Sequence, residues 1–127
     1  MTTRQLAGSM LVAVGLAVVI SACGGDEATL ASPTADVSRG AELYTQTCAS
    51  CHGADLRGTE RGPSHLSIVY EPNHHGDDAF RSAIANGAPQ HHWDFGPMPP
   101  VDGLSPDDVD AIVAFVRAAQ EREGFER

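Results

Sequence analysis

Two thiols and an imidazole stand together at Cys48-Ala49-Ser50-Cys51-His52. Cysteines three apart rise on one side of a helical turn, so both sulfurs can meet the two vinyl groups of one porphyrin. The next residue, His52, then falls beneath the metal and offers a ring nitrogen as proximal ligand. This five-residue spacing is that of c-type haem attachment. Two other chemistries use similar letters. A Cys-x-x-Cys pair can exchange thiol and disulfide, but no βαβ pattern surrounds this one. A zinc site would want a matched second pair of ligands, which Cys48, Cys51 and His52 lack.

An iron held by His52 takes its chemistry from whatever stands on its other side. Met1 and Met10 fall in an apolar N-terminal stretch, so Met98 is the one thioether left in the body of the chain. It lies in Gly96-Pro97-Met98-Pro99-Pro100. Prolines fix φ on both sides, and such a loop presents sulfur with little entropy left to lose. A thioether favours ferrous iron and raises the potential. Gly62-Pro63 supplies a further part, because a ligating imidazole usually donates its second N–H to an acceptor that fixes the ring. The Pro63 carbonyl is near enough along the chain to be that acceptor.

His74-His75 and His91-His92-Trp93 are less easily absorbed. Neighbouring residues project in different directions, so either histidine pair alone is poorly placed to chelate one ion. One imidazole from each could hold copper or zinc if the loops meet. The plainer reading is polarity at the haem-propionate side, with Trp93 capping the ring. His91 or His92 could also replace Met98 on iron, and bis-histidine ligation would lower the potential.

Three helices must position these groups. The first is expected from about Ser38, as its cap, through Ala41, Leu43 and Tyr44 toward Cys48. The second covers about Asp77 to Asn86, where Ala79, Phe80, Ala83 and Ile84 keep helical spacing and Gly87 is a natural stop. For the third, Ser105 caps, Pro106 fits the first position, and Asp107 and Asp108 suit the positive end of the dipole. Val109, Ile112, Val113 and Val116 then recur on one face, with Phe115 beside it. No strand pattern is present, and the fold class is all-α.

The chain has 127 residues, room for one domain, and only 6% are aromatic. So lean a core calls for a staple or cofactor to close it. Net charge is −9, from 17 acidic residues against 8 arginines, which argues against nucleic acid. Acidity keeps an exported protein soluble, or docks it on a basic redox partner. Residues 1–22 read as an export signal: Arg4, an apolar run from Met10 to Ile20, then small residues. Ile20-Ser21-Ala22-Cys23 resembles a bacterial lipobox, which accounts for the odd third cysteine by lipidation of Cys23; an uncleaved N-terminal anchor is the alternative. Either ties the domain to the outer face of the cytoplasmic membrane. Residues 23–36 read as a flexible tether, 37–120 as the folded domain and 121–127 as a polar tail.

The order of parts resembles the class I c-type cytochrome family. The matching elements are Gly40 and Tyr44 in a first helix, CASCH, Gly62-Pro63-Ser64-His65-Leu66, Met98-Pro99, and a last helix from Leu104 to Ala119 containing Phe115. The resemblance implies a small helical shell around one covalent haem c. It makes Cys48 and Cys51 the thioether positions, His52 and Met98 the axial ligands, and Pro63 the residue that orients His52. Gly40 and Phe115 would lie where the first and last helices cross. The function implied is one-electron transfer between a redox donor and acceptor, among which a respiratory complex is one candidate. Two rivals stand beside it: a haem enzyme or sensor with a weak sixth ligand, and a histidine-rich metal-binding lipoprotein without haem.

Overall fold

Capping at Ser105 sets the longest helix among the described residues. Its hydroxyl accepts from the Asp108 N–H at 3.2 Å, while the Asp108 carboxylate accepts from the Ser105 N–H at 3.0 Å. This reciprocal box satisfies two amide donors that a helix start leaves without partners. The computed structural model describes residues 33–125. Among them the helices are α1 (Pro33–Thr47), α2 (Ala49–His52), α3 (Asp77–Asn86) and α4 (Pro106–Arg122), with one 3-10 turn at Ile68–Tyr70. The all-α expectation holds, and no strand longer than an isolated bridge occurs among the described residues.

α3 occupies the predicted span, and α4 starts at the predicted proline but runs to Arg122. α1 differs: it begins at Pro33, five residues before Ser38. The Ser38 hydroxyl donates to the Thr34 carbonyl at 3.1 Å, one turn back, so it lies inside the helix rather than capping it. Nothing in Thr-Ala-Asp-Val stops a helix, and α1 therefore takes up the last residues of the stretch expected as tether. Cys23 and residues 1–22 lie outside the described residues. Among the described residues, no helix is long and apolar enough to cross a membrane.

α1 and α4 cross at Gly40. A Cβ there would collide with the Ala111 carbonyl oxygen and come within 2.9 Å of the Phe115 Cβ. Only hydrogen fits, and the two backbones meet at that point. Around the crossing, Tyr44 of α1 packs with Ile112, Val113 and Val116 of α4, and Leu56, Phe80 and Ile84 complete the core. Burial of each such large apolar side chain contributes about 1.5–3 kcal/mol.

α4 also buries two polar side chains, Arg117 and Gln120. The Arg117 guanidinium donates to Asp77 at 2.7 Å, the Tyr70 carbonyl at 2.8 Å, Gln120 Oε1 at 2.6 Å and the His75 carbonyl at 2.6 Å. Gln120 Nε2 donates to the His65 carbonyl at 2.7 Å. Through this network α4 holds the long irregular segment between α2 and α3.

Candidate functional site

The backbone carries the two cysteines into place directly from α1. Cys48 N–H donates to the Tyr44 carbonyl at 2.8 Å, and the next turn closes with His52 N–H on the Cys48 carbonyl at 2.9 Å. Cys48, Cys51 and His52 then line one cavity of about 420 Å³. Pro63 and Met98 line it too, as do Phe80, Ile84, Val101 and Val116. The structure therefore brings together the five residues singled out for haem.

His52 is oriented by its own loop. Its Nδ1–H donates to the Pro63 carbonyl at 2.9 Å, which leaves Nε2 as the ring's free lone pair. Burial pushes the imidazole below its ordinary pKa, opposed by that carbonyl, so the neutral ligand form prevails. The loop itself is held at Leu56, a buried residue with φ of 63°, a left-handed conformation that costs about 1 kcal/mol. Two bonds maintain it: the Leu56 carbonyl accepts from His65 N–H at 2.9 Å and from the Ser64 hydroxyl at 2.9 Å.

Met98 comes from a different segment. Its N–H donates to the Ala88 carbonyl at 2.9 Å and its carbonyl accepts from Ala88 N–H at 3.0 Å. Further along, Val101 N–H donates to the Ile84 carbonyl at 2.8 Å. These bonds hang the Pro-rich loop on the end of α3. Gly87 permits the approach, since its φ is +76° and a Cβ would sit 2.6 Å from the Met98 oxygen.

Sequence reasoning missed His65 as a working part. It is buried, it lines the same cavity, and its ring stacks on His52 with centroids 4.1 Å apart and planes 19° from parallel. Its Nδ1 lies 3.3 Å from the Tyr44 hydroxyl. Burial, then the neighbouring His52 and Arg117, hold this imidazole well below its ordinary pKa. Arg117 and Gln120 were also missed. A signal existed, because both continue the helical spacing of Val113 and Val116 four residues on.

The histidine pairs meet. His74 Nε2 lies 3.4 Å from His92 Nε2, and His75 Nε2 lies 3.4 Å from His91 Nε2. Both members of the first pair contribute, contrary to expectation, because the chain there turns tightly: the N–H groups of His74 and His75 both donate to the Glu71 carbonyl, at 2.9 and 2.8 Å. Trp93 lines the cavity and stacks on Tyr70 with centroids 5.8 Å apart.

The donor set fits a flat apolar macrocycle: hydrophobic walls, two thiols on one turn, and a neutral imidazole with one free nitrogen. The sequence model of the cytochrome c family matches residues 37–120. The chain belongs to the cytochrome c family. It is similar to cytochrome c-551 of Bacillus subtilis, 32% identical over 111 residues, covering 83% of this chain and 88% of that protein. Similarity extends to the cytochrome bc1 complex cytochrome c subunits of Corynebacterium diphtheriae (37% identical over 73 residues) and Corynebacterium efficiens (32% over 72). Those alignments take in 51% of this cytochrome but only 26% and 24% of the subunits. This is a class I monohaem c-type cytochrome, a haem-based electron carrier with covalent haem c.

Proposed function

We propose that this cytochrome is a membrane-tethered one-electron carrier with Cys48 and Cys51 as the thioether positions and His52 and Met98 as axial ligands. The observation that carries the reading is the cavity that these four residues share with Pro63. Haem c supplies a metal that gains and loses one electron. The protein's residues do the rest. Pro63 fixes the His52 ring, the Ala88 pairing holds Met98, and the apolar lining keeps the site dry, which sets the potential. His91 is held within the histidine cluster, Nδ1 on the Pro89 carbonyl at 2.7 Å and Nε2 3.4 Å from His75 Nε2, which favours Met98 over this imidazole as sixth ligand.

In Met98→Ala the thioether-to-iron absorption should vanish, the potential should fall, and the reduced protein should bind carbon monoxide at neutral pH. An unaltered spectrum and potential reject Met98. Carbon monoxide binding by the wild type would instead favour the enzyme or sensor reading. A pyridine haemochrome spectrum after acid-acetone extraction tests the covalent bridges.

Lipidation at Cys23 would place the domain at the outer face of the cytoplasmic membrane, where a tether raises its effective concentration near donor and acceptor. The likeness to subunits of a cytochrome bc1 complex supports a respiratory complex as one of the two. Cys23→Ser should abolish partitioning into detergent; unchanged partitioning removes the lipid.

A further inference from the structure

Outside the haem ligands, the densest set of metal-binding side chains is the histidine cluster at the cavity rim. His74, His75 and His92 each present a ring nitrogen, all within 4.8 Å of one another, and His91 adjoins His75. The hydrogen-bond partners make this arrangement specific. His75 Nδ1 lies 2.7 Å from the Val69 carbonyl, and His91 Nδ1 lies 2.7 Å from the Pro89 carbonyl. A carbonyl can only accept, so in both rings Nδ1 is a donor and Nε2 is the nitrogen that can be offered to a metal. The two Nε2 atoms face each other across 3.4 Å, a spacing that a shared cation would bridge. The backbone carbonyl behind each ring is the partner that metal-bound histidines usually have.

The spacing indicates which cation. Ligands about 2.05 Å from a tetrahedral metal stand about 3.3–3.4 Å apart, whereas neighbours in a square plane stand about 2.9 Å apart. Both facing pairs here are at 3.4 Å. Among His74, His75 and His92 the remaining edges, at most 4.8 Å, close by roughly an ångström of movement, and His74 and His92 are exposed side chains on loops, free to make it.

We propose that His74, His75 and His92, with His91 as fourth ligand, form a tetrahedral site for a divalent cation of the zinc type at the rim of the haem cavity. The site joins the turn before α3 to the loop that leads to Met98, so the bound ion fastens two walls of the cavity. It rests on Met98 as the sixth haem ligand, which leaves His91 and His92 for the ion, and zinc counting tests it separately from the haem spectrum.

The test uses untagged, haem-loaded protein dialysed against micromolar zinc, with zinc and iron counted by elemental analysis. One zinc per iron is expected, with three or four imidazoles about 2.0 Å from zinc by X-ray absorption. His74→Ala should weaken binding at least tenfold, since even an outer partner of a ligand is worth about that much. His74 does not line the haem cavity, so the haem spectrum of this variant should be unchanged and serves as a check on folding. Wild-type protein that retains no zinc overturns the proposal, leaving a shared proton between the rings. So does zinc retained equally by a His74→Ala/His92→Ala variant, which would put the ion elsewhere.

Discussion

Replacing Arg117 by methionine preserves most of the side chain's length and removes its guanidinium. The Arg117 side chain is 5% exposed while its partner Asp77 is 50% exposed, so the ion pair itself stands half in water. That pair contributes at most about 1 kcal/mol. More of the stabilisation comes from the bonds to the Tyr70 and His75 carbonyls and to Gln120 Oε1. Charge-assisted bonds are worth about 1.5–3 kcal/mol each. They share one cation, and the loop can recover some of the loss by taking in water. A net cost of about 3–5 kcal/mol follows. Against a total stability of about 5–15 kcal/mol this is a large share. In guanidinium chloride, with a slope of about 3 kcal/mol per molar, the unfolding midpoint of the haem protein should fall by about 1–1.7 M. Arg117→Lys, which keeps the charge and loses the fork, should fall between. Amide exchange should accelerate around Tyr70 and His75 in both variants. A loss below about 1 kcal/mol for Arg117→Met would show that the segment between α2 and α3 stands without these bonds, contrary to the role assigned to them.

Gly40→Ala should cost about 2 kcal/mol or more in the same unfolding assay, since its methyl group meets the Ala111 backbone rather than a yielding side chain. Gly87→Ala should act on the iron more than on the fold: it strains a φ of +76° and displaces Met98, so the thioether absorption weakens and the potential drops while helicity by circular dichroism is kept. His65 gives the protein a pH dependence. Its folded pKa lies below the unfolded value of about 6.5, so unfolded chains take up the proton first as pH falls. Stability is complete above about pH 6.5 and is lost below it, by up to about 1.4 kcal/mol per pH unit for this one group. His65→Gln should remove that increment from denaturation curves measured between neutral and mildly acid pH; an identical slope in both proteins would count against it.

Local rules made much of this cytochrome readable. Helix α4 is announced by its cap, its first-turn proline and an uninterrupted apolar row, and α3 by its spacing and terminal glycine. The gathering of Cys48, Cys51, His52, Pro63 and Met98 on one cavity was readable because covalent attachment and soft ligation call for few residue types. Long-range polar contacts were not. Arg117 and Gln120 look like solvent residues until the carbonyls of Tyr70, His75 and His65, contributed by an irregular segment, are seen to need donors. His65 looks like a loop residue until Tyr44 and His52 enclose it. The start of α1 was misplaced because Ser38 is as good a cap by type as it is a helical residue whose hydroxyl bonds back one turn.

The seating of Gly40 on Ala111 has a consequence for how the molecule is made. Cys48 follows α1 at once and is buried in the finished domain, whereas α4, which lies across α1, emerges after all the other helices of the described residues during synthesis. Until it arrives, the sulfurs stand open to whatever machinery must reach them. Once it docks, Cys48 is buried and Cys51 half-buried, both along the cavity wall. Topology thus gives the Cys48 thiol its freest access before the helices lock.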